Sequence, residues 1–578
     1  MKKILFLIMA LIASSPLATA KDKTVELCIL ETSDVHGSFF PYDFINRTPC
    51  KGSLARLSTY VKRERERFGD NLLLLDNGDI LQGQPTVYYY NFIDTAATHV
   101  TAAMMNYLRY DAGNMGNHDM ETGHAVYDRW IRQCNFPILG ANIIDTTSGK
   151  PYLPPYSVFN RDGVKVAVIG LLTPSIPAWL PENLWAGLRF DDIEESARKW
   201  VKTVREKENP DVVVAIIHSG RDHTHTTGNW VENASQLVAE RVPGIDIVLF
   251  GHDHQFFCDS VKNADGNEVW MLNPANKAEK VASAHVSLTL RKGKVVKKEI
   301  SGRLVDISAL PVDEDFMAEF KPQYDTVDKF VSQKIGSISK TISTRNAFFG
   351  PSEFIDLTHS LQLAISGAEV SMAAPLSFDS SIKEGDILVS DMFKLYKYEN
   401  QLYVMRLTGK EIRRHLEMSY DLWVNTMKSP DDHLLLLDQQ TQGDQQRLGF
   451  KNFSFNFDSA AGIDYEVDVT KPDGEKVRIL GMSNGEPFDE NKWYKVAVNS
   501  YRGNGGGELL TRGAGIPKDS LESRIIWRSE RDQRYYLMQE IEKMGTVDAK
   551  PNNNWRFVPE EWVKPAAERD FELLFKKK

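Results

Sequence analysis

Residues 245–254 read Ile245-Asp246-Ile247-Val248-Leu249-Phe250-Gly251-His252-Asp253-His254. The mostly apolar run 245–250 predicts a short buried strand, and the glycine that follows it predicts a turn. Two histidines two residues apart, directly after such a strand, are typical of a metal site on a loop. The same arrangement, an apolar run that ends in Asp, Asn or His, recurs through the first half of the chain.

Four further clusters share this arrangement. They are Asp34 and His36 after residues 25–30, Asp79 after residues 72–75, Asn117 and His118 within the glycine-flanked stretch 113–123, and His218 after residues 211–217. Strands that alternate with helical patterns predict an α/β layered domain, in which ligands gather outside the carboxyl ends of strands. Each cluster alone also fits a polar turn, so the prediction depends on their convergence.

Together the clusters supply seven oxygen or imidazole donors and no thiolate: Asp34, His36, Asp79, Asn117, His218, His252 and His254. A single ion would leave several of these donors unused. Two divalent ions that share a bridging carboxylate use all seven and leave positions for water and substrate. Asp79 is a candidate for the bridge because a carboxylate has two oxygens. The alternative is a set of chance polar loops on an α/β domain.

The length and composition limit the remaining possibilities. A chain of 578 residues predicts two domains, and a net charge of −10 argues against a nucleic-acid polymer as the main partner. The cysteines show no Cys-x-x-Cys spacing, which argues against structural zinc or a redox motif. Pairing among Cys28, Cys50, Cys134 and Cys258 stays open.

Residues 1–20 have the pattern of a secretory signal peptide. A basic start is followed by an apolar core and a small-x-small site, which predicts cleavage after Ala20. The apolar run is too short for the alternative, an N-terminal membrane anchor, and no other stretch is long and apolar enough to span a bilayer. We therefore expect an exported, most simply periplasmic, protein without stable membrane insertion.

The motifs Asp-x-His, Gly-Asp-x-x-Gln-Gly, Gly-Asn-His-Asp, His-Ser-Gly and Gly-His-x-His occur in this order and resemble those of the calcineurin-like metallophosphoesterases. More narrowly, the chain resembles the exported nucleotidases, in particular the bacterial 2′,3′-cyclic-nucleotide 2′-phosphodiesterase/3′-nucleotidases. The resemblance implies one ion at Asp34, His36, Asp79 and His254, and a second at Asp79, Asn117, His218 and His252. These would be divalent ions such as Mn, Zn, Co or Fe.

The resemblance also implies catalytic and substrate-binding residues. His118 matches the catalytic histidine of the family, and Glu121 stands where related 5′-nucleotidases place an aspartate. Tyr398 and Tyr501 match the positions that clamp the nucleobase, with Tyr396 as an alternative partner. The expected substrate-binding loop after Tyr501 comprises Arg502, Gly503, Asn504, Gly505 and Gly506.

We expect an α/β protein of two domains. Residues 21–310 would form a layered phosphoesterase domain with helices flanking a β-sandwich of mixed sheets, and residues 311–340 a connecting helix in which Pro322 marks a kink or break. Residues 341–578 would form an α+β domain for nucleotide specificity. Residues 454–469 are expected to form a strand pair of that domain.

The expected activity is hydrolysis of 2′,3′-cyclic nucleotides to 3′-nucleotides, and then to nucleoside and phosphate, by a monomer. Residues 371–375 lack the glycine-rich segment ending in Arg that 5′-nucleotidases carry, which favours the cyclic-nucleotide branch. One alternative is a 5′-nucleotidase or nucleotide-sugar hydrolase with the same metals. An alternative of another class is an exported nucleotide-binding protein whose metal site is degenerate.

Overall fold

A computed structural model describes residues 22–222, 226–227, 230–442 and 445–576. The signal-peptide prediction for residues 1–20 lies outside these ranges. The main strands of the first half are β1 (Lys23–Thr32), β2 (Leu72–Asp76), β3 (Ala112–Asn114), β4 (Ile138–Leu139), β5 (Tyr156–Arg161), β6 (Val164–Leu172), β7 (Val212–His218), β8 (Ile247–Phe250), β9 (Phe256–Lys262), β10 (Glu268–Pro274), β11 (Lys280–Arg291) and β12 (Lys294–Asp306).

These strands form two six-stranded sheets that pack face to face. Their strand orders are β12-β11-β1-β2-β3-β4 and β9-β10-β8-β7-β6-β5. In the first sheet the pairs β12-β11 and β11-β1 are antiparallel and the pairs from β1 to β4 are parallel. The second sheet has a parallel centre and one antiparallel pair at each edge, so both sheets are mixed. Leu27 and Leu73 of one sheet share a buried cluster with Val166, Val214 and Leu249 of the other. The predicted β-sandwich of mixed sheets is confirmed.

Helices cover both outer faces of the sandwich. They are α1 (Leu54–Phe68), α2 (Val100–Leu108), α3 (Asn117–Glu121), α4 (His124–Gln133), α5 (Ile193–Lys207) and α6 (Ser235–Arg241). Helix α5 begins at an N-cap, because the Asp192 side chain accepts a hydrogen bond from the backbone N–H of Glu195. Its apolar stripe, which includes Ile193, Val201 and Val204, packs on the second sheet.

The connecting segment contains two helices rather than one. Helix α7 (Glu314–Glu319) and helix α8 (Lys321–Val331) meet at Phe320. Pro322 lies in the first turn of α8, where its missing N–H is tolerated. Both helices bury phenylalanine or valine side chains in the core of the first half. The domain boundaries given above remain a prediction.

The second half has mixed α and β structure. Its main strands are β13 (Lys334–Ile338), β14 (Val370–Ala373), β15 (Gly385–Leu388), β16 (Gln401–Thr408), β17 (Ser459–Ala461), β18 (Ile463–Asp468), β19 (Val477–Met482), β20 (Trp493–Asn499), β21 (Ile525–Asp532), β22 (Thr546–Val547) and β23 (Trp555–Val558). Its longer helices are α9 (Glu353–Ser366), α10 (Val389–Leu395), α11 (Gly409–Trp423), α12 (Gln533–Met544) and α13 (Glu560–Phe575).

The central sheet of this half has the order β17-β14-β20-β16-β21, and two three-stranded sheets, β19-β18-β23 and β15-β13-β22, lie beside it. The predicted strand pair in residues 454–469 is wrong in detail. Ser454–Asn456 is a 3-10 turn, and the glycine at 462 separates β17 and β18, which join different sheets. Within the described ranges, no helix is long and apolar enough to cross a membrane.

Candidate metal and substrate site

The predicted metal ligands lie together at one edge of the sandwich, because the parallel strands of both sheets end there. Two groups form, each with its donor atoms within 4.8 Å of one another. The first group contains Asp34, His36 and His254, and the second contains Asp79, His218 and His252. Asn117 joins the second group, with its Oδ1 3.1 Å from His218 Nε2 and 2.8 Å from His252 Nδ1.

Hydrogen bonds to backbone carbonyls orient two of the imidazoles. The Nδ1 of His36 donates to the carbonyl of Gln82 at 3.0 Å, and the Nδ1 of His218 donates to that of Asn77 at 2.7 Å. Each Nε2 therefore presents a lone pair to the cluster, which is how metal-binding histidines are commonly held. His36 Nε2 lies 3.1 Å from His254 Nε2. Such convergent lone pairs and carboxylates fit a divalent cation.

The backbone at five of the seven ligand candidates adopts the left-handed region. The φ angles are 51° at Asp34, 49° at His36, 55° at Asp79, 75° at His252 and 55° at His254. A residue other than glycine in this region costs about 1–3 kcal/mol, and such strain clusters at functional sites. The loops are therefore shaped to aim these side chains at common points.

Two glycines allow the ligand loops to touch. A Cβ atom at Gly116 would lie 2.1 Å from Oδ1 of Asp79, and one at Gly251 would lie 2.4 Å from Oδ2 of Asp34. Any larger residue would displace these carboxylates. The glycines of the sequence motifs are thus explained by close approach between loops.

Asp119 is a structural residue of the site that the sequence analysis missed. Its carboxylate accepts four backbone N–H groups, those of Asp79, Ile80, Leu81 and Gly116, at 2.8–2.9 Å. Burial raises its pKa to about 6, the charge of Asp79 adds to this rise, and the N–H groups oppose it. The sequence signal for this role was its position: Asp119 lies three residues after Gly116, in the first turn of α3, where an acidic side chain can accept backbone N–H groups.

His118 lies beside both metal groups. Its backbone N–H donates to Oδ1 of Asp79 at 2.8 Å, and its ring centroid lies 5.5 Å from that of His36. Its Nδ1 donates to Oε2 of Glu121 at 2.6 Å, which leaves Nε2 for a substrate. Burial would lower the pKa of His118, but Asp79 and Glu121 raise it to about 10. Bound cations would oppose this rise by charge repulsion.

The two tyrosines expected to clamp a base have different ring partners. The Tyr398 ring lies parallel to His118 within 5°, with centroids 6.3 Å apart, whereas Tyr396 is buried inside the second half. Tyr501 contacts Phe455 at 6.1 Å, and Phe455 stacks on Phe453 at 5.1 Å. Phe453 is 67% exposed. An open aromatic surface therefore adjoins Tyr501, and the two phenylalanines at 453 and 455 were its signal in the sequence.

Arg502 does not fit the expected role in direct substrate binding. Its guanidinium is 2% exposed and forms two hydrogen bonds with Asp458, at 2.9 and 3.0 Å. Its other N–H groups donate to the side chain of Asn456 and to the carbonyls of Phe455 and Gly506. All five N–H groups are thereby used. Arg502 instead fixes the loop that carries Tyr501.

The remaining loop residues shape the backbone under Tyr501. Gly503 packs on the ring of Tyr403, and Gly506 packs on that of Tyr501, where a Cβ atom would lie 2.4 Å from the ring. Gly505 has a φ of 92°, and the amide of Asn504 donates to the carbonyl of Ser500 at 2.6 Å. Contact of these residues with a substrate stays a prediction.

Comparisons with known proteins agree with this architecture. Residues 28–256 match the calcineurin-like phosphoesterase family and residues 334–512 match the 5′-nucleotidase C-terminal domain. The chain is 28% identical to the 2′,3′-cyclic-nucleotide 2′-phosphodiesterase/3′-nucleotidase of Salmonella typhimurium, over 95% of this chain and 91% of the relative. It is also 28% identical to the trifunctional nucleotide phosphoesterase protein YfkN of Bacillus subtilis, over 96% of this chain, and it spans 40% of that relative.

A solved structure shows the same fold over the full length of its chain. The 5′-nucleotidase precursor of Thermus thermophilus superposes with a TM-score of 0.63 at 22% identity, covering 93% of this chain and 100% of that one. Fold and site together define a two-domain phosphoric ester hydrolase with two candidate sites for divalent metal ions. The chain combines a calcineurin-like phosphoesterase domain with a 5′-nucleotidase C-terminal domain.

Proposed function

We propose that the protein is an exported hydrolase that converts 2′,3′-cyclic nucleotides to 3′-nucleotides, and these to nucleosides and phosphate. The observation that carries the proposal is the pair of metal-ligand groups with His118 beside them. Relatives named 2′,3′-cyclic-nucleotide 2′-phosphodiesterase/3′-nucleotidase in Salmonella, Yersinia and Haemophilus, each 27–28% identical and covered over 89–91% of their length, support the substrate.

In this proposal each ligand group binds one metal ion. Asp34, His36, Asp79 and His254 would hold one ion, and Asp79, Asn117, His218 and His252 the other. When bound, two divalent ions lower the pKa of a water and withdraw charge from phosphoryl oxygens. The buried carboxylates of Asp34 and Asp79 fit this role, since nearby histidines hold the pKa of each below its usual range against the effect of burial.

His118 would stabilise the transition state and protonate the leaving oxygen. The carboxylate of Glu121 holds its Nδ1, so that Nε2 is the nitrogen that gives up a proton. In the first hydrolysis, water adds to phosphorus and the bond to the 2′ oxygen breaks, which yields a 3′-nucleotide. In the second, water adds again and the 3′ oxygen leaves as the hydroxyl of a nucleoside.

The proposed base site lies between Tyr501 and Tyr398. Phe455 packs edge-on against Tyr501, with ring centroids 6.1 Å apart, and supports its position. Stacking on aromatic side chains contributes about 1–3 kcal/mol per base and tolerates different bases. Substitution of Tyr501 by Ala is expected to raise KM for nucleotides about 10-fold or more and leave kcat nearly unchanged.

Substrate comparison with metal replacement tests the proposal. Chelated protein would be reconstituted with Mn, Co or Zn, and phosphate release would be followed from 3′-AMP and 5′-AMP, and nucleotide production from 2′,3′-cyclic AMP. We expect 2′,3′-cyclic AMP and 3′-AMP to react fastest. Faster hydrolysis of 5′-AMP would support the 5′-nucleotidase alternative. A 5′-nucleotidase of Vibrio cholerae, 26% identical over 69% of this chain, also favours that alternative. No hydrolysis with any metal would indicate a binding protein.

Export is tested separately. If residues 1–20 are removed on secretion, the protein recovered from the periplasm begins at Lys21. Mass spectrometry of the intact chain shows directly whether its N-terminal residue is Lys21. A cytoplasmic protein that retains the first twenty residues would contradict export without affecting the proposed chemistry.

A further inference from the structure

His252 is held differently from His36 and His218, whose Nδ1 atoms donate to backbone carbonyls. Its Nδ1 faces the second ligand group, 2.8 Å from Oδ1 of Asn117, and its Nε2 lies 3.2 Å from Oε1 of Glu232. A carboxylate carries no proton, so Glu232 can only accept this hydrogen bond. Glu232 therefore places the proton of a neutral His252 on Nε2 and leaves the lone pair on Nδ1.

Two further contacts restrict the same imidazole. The ring of Trp179, at the end of the short helix Ile176–Trp179, lies within 23° of parallel to it, with centroids 5.7 Å apart. The backbone N–H of His252 donates to Oδ2 of Asp34, a member of the first ligand group, at 3.0 Å. These neighbours fix the face and the backbone of His252, and Glu232 fixes the rotation of the ring about its Cβ–Cγ bond.

The His-Ser-Gly motif explains how Glu232 reaches this position. The hydroxyl of Ser219 donates to the carbonyl of Glu232 at 2.6 Å and accepts the backbone N–H of Ala234 at 2.8 Å. The backbone N–H of Gly220 donates to Oδ1 of Asn233 at 3.0 Å, and a Cβ atom at Gly220 would lie 2.5 Å from that oxygen. The serine and the glycine of the motif thus hold the segment that carries Glu232 beside the metal ligands.

Glu232 also lies close to the predicted base site. Burial raises the pKa of Tyr501 to about 12, Arg502 opposes the rise, and the charge of Glu232 adds to it. The Glu232 side chain is 15% exposed and belongs to neither ligand group. Such a carboxylate could hold His252 or contact the sugar hydroxyls of a nucleotide. Its contact with Nε2 of His252 favours the first role.

We propose that Glu232 is a positioning residue that sets the affinity of the second ligand group for its ion by holding His252. The inference rests on the proposed two-metal function and adds a residue that does not itself bind metal. A carboxylate that accepts the N–H of a ligating imidazole orients the ring and makes its other nitrogen more basic, and loss of such a partner typically lowers metal affinity about 10–100-fold. Loss of Glu232 should therefore weaken the binding of one ion and not of the other.

Metal titration of the full-length, chelated protein tests this inference. Glu232→Gln keeps an oxygen that can accept the N–H of His252 but removes the charge, and Glu232→Ala removes both. By calorimetry with Mn, we expect one of the two ions to bind about 10-fold more weakly in Glu232→Gln and up to about 100-fold more weakly in Glu232→Ala, with the other ion within about threefold of the wild type. Glu240→Gln is a matched control that should bind both ions normally, because Glu240 bonds to Gln236 within α6.

Two further measurements separate positioning from other roles. In proton NMR of the cobalt-saturated protein, the ring N–H of a ligating imidazole is shifted by the unpaired electrons of the metal. One such signal should move in Glu232→Gln, while those of His36 and His218 stay, because their N–H groups donate to backbone carbonyls. At saturating Mn, KM for 3′-AMP should stay within about twofold of the wild type in Glu232→Gln.

Three results would overturn the inference. Wild-type affinity for both ions in Glu232→Ala would show that His252 needs no carboxylate partner, and equal losses at both ions would indicate general damage to the loops. A raised KM at saturating Mn with unchanged metal affinity would assign Glu232 to the substrate. A wild-type protein that binds no ion would refute the proposed function together with the inference. One that binds two ions without hydrolysing 3′-AMP would refute only the proposed substrate, and calorimetry would still decide the role of Glu232.

Discussion

Asp79 is a single residue that touches several parts of the site. Its Oδ2 lies 3.2 Å from His218 Nε2, while its Oδ1 accepts the backbone N–H of His118. Asp79→Asn keeps the shape but removes the charge that a shared cation needs. We expect metal content to fall from about two ions per chain to one or fewer, and kcat/KM to fall at least about 100-fold.

Metal analysis of purified protein measures this loss. Asp211→Asn is a matched control, because Asp211 precedes the same strand as His218 but lies at the opposite end of the sheet. Two ions retained in Asp79→Asn would show that Asp79 is no bridge.

His118 and Glu121 are expected to act on chemistry and not on metal binding. His118→Ala should keep its metal content and lose about 10²–10⁴ in kcat for 3′-AMP, the range typical of a general acid. Glu121→Gln should lose about 10-fold, since a neutral amide still reaches Nδ1 but stabilises the imidazolium less. Turnover of metal-loaded His118→Ala at the wild-type rate would refute the catalytic assignment.

At the scale of loops, contact between neighbouring turns keeps the donors in place. A Cβ atom at Gly251 would lie 1.9 Å from Oγ of Ser33 and 2.4 Å from Oδ2 of Asp34. Gly251→Ala is therefore expected to weaken metal binding about 10-fold or more, while the sandwich core stays intact. Titration of chelated protein with Mn, followed by activity, measures the effect. Gly481→Ala, on β19, where the atom nearest to the added carbon lies 3.4 Å away, controls for loss of a glycine.

A buried ion pair connects the two elements that carry Phe455 and Tyr501. Burial would raise the pKa of Asp458, but Arg502 and His415 hold it below its ordinary range. Asp458→Asn leaves the buried guanidinium of Arg502 without a charged partner and should reduce the free energy of unfolding by about 3–5 kcal/mol. The urea midpoint at pH 7 measures this change, with Asp519→Asn, at an exposed position, as control.

The ion pair of Asp458 and Arg502 also predicts how the stability of the protein changes at low pH. A carboxyl whose folded pKa is depressed adds stability above its ordinary pKa, near 4, and loses it as the pH falls further. The wild type should therefore lose stability between about pH 5 and pH 2 more steeply than Asp458→Asn. If the two proteins lost the same stability over this pH range, that result would contradict the depressed pKa of Asp458.

The sequence was informative about strand ends and uninformative about distant pairs. Asp34, Asp79, His218 and His252 could be placed at one sheet edge because each directly follows an apolar strand, and local pattern determines where a strand stops. The partner of Arg502 lies 44 residues away, and no local periodicity connects the two. Such long-range pairs arise from tertiary packing.

The whole molecule depends on docking between its halves, and Tyr88 is a central contact. Its ring packs edge-on against Phe393 with centroids 5.3 Å apart, and its hydroxyl bonds to Asp532. Tyr88→Ala should therefore loosen the interface, increase the radius of gyration in small-angle scattering and lower kcat about 10-fold. Tyr156→Ala, on the outer strand of the second sheet, should change neither. An unchanged radius with reduced kcat would place the effect of Tyr88 within one domain.

The first-half fold follows from periodicity, whereas the docking of the halves does not. Alternating apolar runs and helical patterns predict a layered α/β domain, and the connecting segment predicts a kink or break at Pro322. The parallel approach of Tyr398 to His118 depends on how two separately folded units meet, and Arg534, which donates to the carbonyl of Lys397 next to Tyr398, lies 416 residues after His118. The contact of Tyr398 with a nucleobase stays a prediction, because resemblance carries over positions and not ring partners.

The ligand candidates extend from Asp34 to His254, and the last of them lies on the loop after β8. During synthesis the set is incomplete until more than 250 residues have left the ribosome. A secreted chain that crosses the membrane unfolded would assemble the set only on the far side. The ions that occupy the site would then reflect the metal supply of the compartment in which folding ends, and not that of the cytoplasm in which translation takes place.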